Sequence, residues 1–482
     1  MSEQVGAERL VVGFDLDMTL ADPRLGVQAT FASVSEEIGV AIDGALVASR
    51  LGPSLEIELA RWVPAEQVAA VADVYRKHFA TLGVDGTSVM PGAEESLAAV
   101  RQAGGTALVV TAKSKPLAQA TLDRLGLVAD ETLGWRWGDG KGEVLAERGA
   151  AIYVGDHTGD MMAARTCGAI AVAVMTGADS EQALRDAGAH VVLASLVEFP
   201  EWLSSYLLTK RLTRLEERLQ ELGSVLVAFS GGADSALVLA AAVRALGPDR
   251  VVAATAISPS LPTSELEEAK TFAASLGVRH LTPSTDELSR DGYRANAGDR
   301  CFFCKAELLD VLSPVAAEHG LAYVVTGTNA DDVLAGFRPG IRAAAERGAA
   351  TPLLDAGLTK AQVREASRQW GLETWDKPAA ACLSSRIAYG VEVTASRLWR
   401  VERAETALRV AMAGAGLAPR DLRVRDLGDR ARVEVDAALV DSLAARPDLL
   451  AVVEGFEAVE VEPRGFRSGA MNDLLVDADR WR

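Results

Sequence analysis

Cysteine and histidine are scarce in this chain: four and five residues among 482. Four cysteines in a long chain do not make a disulfide framework. The histidines (His78, His157, His190, His280 and His319) are too scattered to suggest a His-rich zinc site or a Ser-His-Asp triad. Long apolar runs are also missing. The apolar stretches are Ala-rich and broken by Asp, Arg or Gly, well short of the roughly 20 residues that cross a bilayer. Met1 to Leu10 is polar, with two glutamates and no apolar core of a secretion signal. The expectation is a cytoplasmic protein with no membrane partner. Positive charge is in short supply too. The net charge is −18, with residues 1–209 holding 28 Asp+Glu against 15 Lys+Arg. Neither half has the field of a protein that holds long nucleic acid, so no nucleic-acid partner is expected; a local basic patch for a small anion stays compatible. Repeats and low-complexity tracts are absent.

The apolar share of 49% is enough for several cores, and the length suggests two to four domains. Residues 10–14, 107–111 and 151–155 are short apolar runs, each ending in a polar residue and followed by helical sequence. Buried strands alternating with helices predict a doubly wound parallel α/β sheet, with ligands at the carboxyl ends of its strands. A mostly helical insert at about 22–90 reads as a cap. Leucines at 207, 208, 212, 215, 219 and 222 form a helical stripe, beside which a domain boundary is placed. A second α/β pattern follows, with strands at 225–229, 251–257 and 322–326. From about 395 a long helix and short strands near 422–426, 431–435 and 457–461 read as a small α+β domain. The expected division is 1–207, 208–394 and 395–482.

The strand at 225–229 runs into Ser230-Gly231-Gly232-Ala233-Asp234-Ser235 and then into a helix at 236–246. Two glycines let the backbone turn and approach a ligand closely. A helix start adds unpaired N–H groups and a positive dipole end, and Ser230 and Ser235 add hydroxyls. The result is a cradle for pyrophosphate. It is not a Walker loop, because Gly-Lys-[Ser/Thr] is missing.

Ser-Gly-Gly-x-Asp-Ser resembles the PP-loop of the ATP pyrophosphatase superfamily. Residues 208–475 resemble the LarE family of ATP-dependent sulfur transferases. The likeness is carried by Cys301-Phe-Phe-Cys304-Lys305, Thr326-Gly-Thr-Asn329-Ala-Asp331-Asp332, Phe337-Arg338-Pro339-Gly340, Trp375-Asp-Lys377-Pro378 through Cys382-Leu-Ser-Ser385-Arg386, and Gly465-Phe-Arg467-Ser-Gly-Ala-Met471-Asn472. The resemblance implies that ATP adenylates a carboxylate of pyridinium-3,5-dicarboxylate mononucleotide. A sulfur nucleophile then displaces AMP, giving a thiocarboxylate for the nickel-pincer nucleotide cofactor of lactate racemase. It also implies a small nucleotide substrate and a homo-oligomer, with a hexamer as one form. Mg²⁺ would neutralise the triphosphate, with Asp234 and Asp332 as ligands or supporting groups; helix capping is the other role open to them. Arginines match a phosphate and a second carboxylate bidentately. Arg386 comes first as a substrate-binding residue, beside Ser385, followed by Arg423, Arg425, Arg464 and Arg467. Glu402 and Glu405 resemble acidic positions of the family's inter-domain site, and each is equally compatible with a solvated surface charge.

Cys301, Cys304 and Cys382 suit four readings: three corners of a [4Fe-4S] cluster, a Cys₃ zinc site, a redox pair, or ordinary thiols. In some members of the family one cysteine, matching Cys382, gives up its own sulfur. In others three cysteines hold a [4Fe-4S] cluster bearing an extra sulfide. The full set of three is present here, and the cluster is the expectation. Cys167, in a helix, reads as a small apolar core residue.

Near the N-terminus, Asp15-Leu-Asp17-Met-Thr19, Thr111, Lys141 and Gly155-Asp156-His-Thr-Gly-Asp160 resemble, in order, the four motifs of haloacid dehalogenase (HAD) phosphatases with a helical cap. The resemblance makes Asp15 the nucleophile and Asp17 the general acid/base. Thr111 and Lys141 would bind phosphate, and Lys141 would keep Asp15 ionised. Asp156, Asp15 and Asp17 (through its backbone carbonyl) would bind Mg²⁺, with Asp160 orienting them. Gly-Asp-Gly-Lys-Gly stands where Lys-Pro is commoner. Two other readings stay open: a PP-loop enzyme that thiolates tRNA, and a HAD phosphatase with a non-catalytic nucleotide-binding module.

Overall fold

The computed structural model describes residues 10–52, 54–334, 339–378, 381–467 and 469–474. The Phe337-Arg338 pair, the two alanines 379–380 before Cys382, Ser468, the Asn472 side chain and residues 475–482 lie outside the described residues. The chain divides into two compact units, Met1–Leu207 and Leu208–Arg482.

In the first unit, six parallel strands run in the order Glu131–Leu133, Thr106–Val110, Val11–Phe14, Ile152–Gly155, Ile170–Val174, Val191–Leu193. Val11–Phe14 and Ile152–Gly155 are buried along their whole length, as expected of central strands covered by helices on both faces. The three expected strands are present. Ile170–Val174 and the two edge strands were not anticipated. The edges are three residues long, too short to show a periodicity. The insert folds as helices Arg24–Ile38, Gly44–Ala48, Leu55–Leu59 and Val68–His78 around its own core of Phe31, Val34, Leu59 and Phe79. A two-stranded ladder, Ala21–Asp22 with Ser88–Val89, closes its entrance.

The second unit has a four-stranded parallel sheet, Arg279–Leu281, Val251–Ala254, Val225–Ala228, Tyr323–Val325. The Val251–Ala254 strand is regular only to Ala254, not to 257, although Ile257 still pairs with Ser284 as an isolated bridge. A three-stranded sheet follows: Leu422–Asp426 antiparallel to Arg430–Val435, which pairs in parallel with Ala458–Val461. Helix Ala395–Gly414 lays Leu398, Val401, Ala404, Leu408 and Met412 inward, the 3–4 spacing of a buried helix face. The small sheet is tied back to the cysteine loop: Ala388 N donates to Asp426 O at 2.9 Å. The fully buried Asp426 carboxylate takes Arg397 at 2.9 Å and Arg400 at 2.6 Å. Among the described residues no helix is long and apolar enough to cross a membrane.

Candidate active sites

In the first unit the strand ends bring the HAD-like motifs together. Lys141 Nζ, 4% exposed, lies 3.0 Å from Asp15 and 2.7 Å from Asp160. It arrives on helix Asp139–Glu147, after Gly138 turns the chain at φ +51°. Oxygens of Asp15, Asp156 and Asp160 lie within 4.8 Å of one another. Thr19 donates to Asp156 at 2.8 Å. The Asp17 side chain is not part of this acidic group; it meets Lys113 Nζ at 2.6 Å. Asp17 and Thr111 line the same small cavity as Asp15 and Lys141. Met18, between the two motif aspartates and Thr19, holds φ +61°, a conformation that side chains rarely adopt and that marks functional turns.

Burial pushes the Asp15 carboxyl up to about 7, against the pull of Lys141 and with help from Asp160 and Asp17. Asp156 is raised by burial and by Asp160 and Asp15. Three buried carboxylates against one ammonium leave excess negative charge, which suits a divalent cation. Both raised carboxyls bind a proton more tightly in the folded state. Without metal, the Asp15 share of the stability is therefore present below the ordinary 3.8 and is lost as pH rises through about 7, and the Asp156 share is lost in the same direction. In metal-free buffer, Asp15→Asn should melt progressively above the parent as pH rises from about 4 to about 8, and Mg²⁺ should close the gap. A difference in melting temperature that does not change with pH would refute this.

Lys113, Tyr153 and His157 were not anticipated. Lys113 stands two residues after Thr111, and that spacing could have signalled it. Tyr153 donates to Val110 O at 3.1 Å and lies 3.2 Å from Asp160. His157 caps helix Thr158–Thr166 through Gly159 N at 3.0 Å and lines the same cavity as Asp15 and Lys141; only the tertiary fold gives it that position.

In the second unit, Ser230–Ser235 forms a self-braced turn. The Ser230 and Ser235 hydroxyls are 3.1 Å apart, and Ser235 Oγ donates to Gly232 O at 3.1 Å. Gly231 has φ +72°, and a side chain there would come within 3.8 Å of Lys377 Nζ. Helix Ala233–Leu246 starts three residues earlier than the expected 236, so Asp234 sits in its first turn. Asp234 is matched by Lys360 at 2.6 Å and Asn329 at 3.2 Å. Gly327 crosses that helix start so closely that a Cβ would lie 2.8 Å from Ser235 N. Asp332 accepts from Asn329 N at 3.1 Å. Lys360 and Lys377 were not singled out by sequence as neighbours of the turn; both come from segments more than 100 residues away, and Lys377 Nζ is held by Glu265 at 2.6 Å and Glu268 at 2.7 Å. A side chain at Gly231 in the left-handed region costs about 1–2 kcal/mol. Gly231→Ala should therefore lower the melting temperature by a few degrees, read by thermal unfolding of the full chain.

The same turn lines a cleft of about 380 Å³ with Cys304, Lys305, Cys382, Glu287 and Asp332. Cys301 is exposed and is not among the lining residues. Burial pushes the Cys304 thiol up, and the neighbouring Cys382, Glu287 and Cys301 add to this. Burial disfavours the Arg300 charge, but the nearby Cys382 and Cys301 thiols outweigh it and raise its pKa. The Arg300 guanidinium donates to Asn296 at 2.5 Å and to Ser384 O at 2.9 Å, joining the start of the Cys301–Cys304 helix to the Cys382 loop. Burial lowers the Lys305 ammonium. Cys382 Sγ lies 2.9 Å from Ser384 Oγ.

The predicted substrate arginines are mostly engaged. Arg386, 4% exposed, pairs with Glu405 at 3.0 Å and donates to the carbonyls of Ala381 and Cys382. It braces the cysteine loop together with Ser385, whose hydroxyl donates to Cys382 O at 2.7 Å. Glu405 also accepts from Val424 N at 2.9 Å, and Glu402 accepts from Thr263 N at 2.8 Å; neither is an idle surface charge. Arg425 bonds Glu434 at 2.6 Å and Ser385 O at 3.2 Å. Burial lowers the Arg423 charge, as does its neighbour Arg386. Arg464 and Arg467 are on the surface, paired with Glu462 and Asp473. Cys167 packs half-buried against a core that includes Leu145, Tyr153, Met161 and Ala164.

Comparison with known proteins follows this division. The profile of haloacid dehalogenase-like hydrolases matches residues 12–165, and that of NAD synthase matches residues 207–295. Pyridinium-3,5-bisthiocarboxylic acid mononucleotide synthase of Lactiplantibacillus plantarum is 36% identical over 275 residues, 56% of this chain and 97% of that protein. The uncharacterized protein slr1717 of Synechocystis is 41% identical over 275 residues, covering 100% of its own length. A haloacid dehalogenase-like hydrolase structure from Streptococcus pneumoniae, 22% identical, aligns with a TM-score of 0.38 over 41% of this chain and all of its own. The chain thus belongs to the LarE family of pyridinium-3,5-bisthiocarboxylic acid mononucleotide synthases, with a haloacid dehalogenase-like hydrolase domain at its N-terminus.

Proposed function

We propose that the second unit adenylates a carboxylate of pyridinium-3,5-dicarboxylate mononucleotide with ATP and replaces the activated oxygen by sulfur. The observation that carries this reading is the single cleft lined by both the Ser230–Ser235 turn and Cys304 with Cys382. A carboxylate is a poor acyl donor until its oxygen leaves with a phosphate. The carboxylate oxygen attacks the α-phosphorus, pyrophosphate departs into the turn, and the acyl-adenylate forms. Sulfur then adds to the acyl carbon and AMP leaves, giving the thiocarboxylate. The Gly231–Gly232 backbone and helix start receive the pyrophosphate, with Lys360 and Lys377 nearby. Mg²⁺ on the triphosphate is part of the proposal, with Asp234 and Asp332 close to the turn.

The residues suit an iron–sulfur group. Cys304 has both Cys301 and Cys382 as neighbours, and the buried Arg300 cation stands near Cys301 and Cys382. Their sulfurs do not all fall within 4.8 Å of each other, whereas direct ligation of one zinc ion brings thiolates to about 3.8 Å. When bound, a [4Fe-4S] cluster on these three thiolates would supply a transferable sulfide. Arg386, Glu405 and Ser385 keep the Cys382 loop beside the cleft.

In the first unit, the proposed roles are attack on a phosphate monoester by Asp15 and handling of the leaving-group proton by Asp17. Mg²⁺ would be held by Asp15 and Asp156, with Asp160 beside them. The test of the second unit is pyrophosphate and AMP release with ATP and the dicarboxylate nucleotide. Release that requires both compounds supports the reading; no release with the folded protein overturns it.

A further inference from the structure

The catalytic cavity of the first unit opens, past shared residues Asp17, Leu51 and Ala112, onto a second cavity of about 130 Å³ under the helical insert. Asp17 lines both. A phosphoryl group beside Asp15 therefore places the rest of its ester in the second cavity, with the bridging oxygen near Asp17. The walls of this second cavity determine which leaving group fits.

Those walls combine four aromatic side chains with three ion pairs, so their charges balance. Phe31, Tyr75 and Phe79 stack in series, with ring centroids 4.7 and 5.5 Å apart, and all three line the cavity with Trp135. Every cation on the described walls is already paired: Arg50 with Glu58, Arg76 with Glu56, and Lys113 with Asp17. An anionic leaving group would have to break one of these pairs. The volume is also restrictive, because cavities of about 150 Å³ accommodate one benzene ring. A nucleoside, with a ribose besides its base, is larger.

Trp135 is 57% exposed, yet it is held firmly. It has φ +56°, its N–H donates to Lys113 O at 2.9 Å, and Arg76 stacks on its ring at 4.7 Å. Gly134 allows this, since a Cβ there would fall 2.2 Å from Lys115 N. A strained, fixed, exposed indole at a cavity edge is a feature of ligand binding rather than of packing.

Resting on the reading of this unit as a phosphatase, we propose that the second cavity receives an uncharged single-ring aromatic leaving group. The preferred substrate class is then the phosphate monoester of a small aromatic alcohol or phenol. Asp15 attacks phosphorus, the ester P–O bond breaks, and the leaving oxygen takes its proton from Asp17. Water then attacks the aspartyl-phosphate, releasing phosphate and returning a proton to Asp17.

Benzyl phosphate and propyl phosphate have leaving groups of similar basicity, so comparing them isolates the ring. With Mg²⁺, the full chain should hydrolyse benzyl phosphate with at least about tenfold higher kcat/KM than propyl phosphate or phosphoglycolate. Trp135→Ala should reduce that preference several-fold, mainly through KM, and Ser54→Trp, which fills the cavity from its rim, should reduce it too. Equal hydrolysis of all three esters, or a preference for phosphoglycolate, overturns the proposal and leaves the phosphatase reading standing. If no ester is hydrolysed, the phosphatase reading fails. Binding of benzylphosphonate and propylphosphonate by tryptophan fluorescence then decides the cavity's preference: tighter binding of the aromatic compound supports it, and equal binding overturns it.

Discussion

Replacing Cys382 by serine is expected to cut thiocarboxylate formation by about 10³-fold or more, while AMP release from ATP persists. The Ser230–Ser235 turn and Cys382 share a cleft but belong to different loops. In the proposed function, activation uses the turn and sulfur delivery uses the thiol. Persistent AMP release shows that the fold and the nucleotide site survive the substitution. The same pair of measurements on Cys301→Ser and Cys304→Ser separates the two sulfur sources. If the three cysteines act as one metal-holding set, all three variants lose sulfur insertion together. If Cys382 surrenders its own sulfur, the other two retain it. Loss of AMP release in Cys382→Ser would show that the loop, braced by Arg386 and Glu405, is required for activation itself. The division of labour proposed here would then be wrong.

Asp15→Asn is expected to lower phosphate release from monoesters by about 10³-fold or more and to leave ATP-dependent AMP formation unchanged. An amide cannot form the aspartyl-phosphate, and the nucleotide turn lies in the other compact unit. Lys141, which lies 3.0 Å from Asp15, also touches Asp160 at 2.7 Å, so the variant keeps one of the two ion pairs that hold the lysine. Phosphate release at the parent rate, measured with benzyl phosphate and Mg²⁺, would remove Asp15 from the role of nucleophile.

Sequence and structure agree where a short segment carries its own instruction. The run from Val225 to Ser235 contains a strand, two glycines and a helix start, and each follows from local chemistry. The acidic doublet Asp15 and Asp17 after a buried strand is similar. Edge strands such as Arg279–Leu281 were not legible, because three residues with one exposed side chain carry no period. Nor was the fate of the arginines. Arg386, read as a substrate ligand from its motif, is bound to Glu405 and to its own loop's carbonyls, an arrangement set by which helix packs beside it.

The sequence alone determined the two α/β patterns, the glycine turn, the acidic motif and the three cysteines, because strand, glycine and helix-start preferences act within a few residues. Only the tertiary structure decided which charges meet. Lys141 reaches Asp15 across 126 positions of chain, Lys360 reaches Asp234 across the same span, and Cys304 shares a cleft with Cys382. Such pairings depend on how sheets and helices stack, since charge and burial act through space and not along the chain.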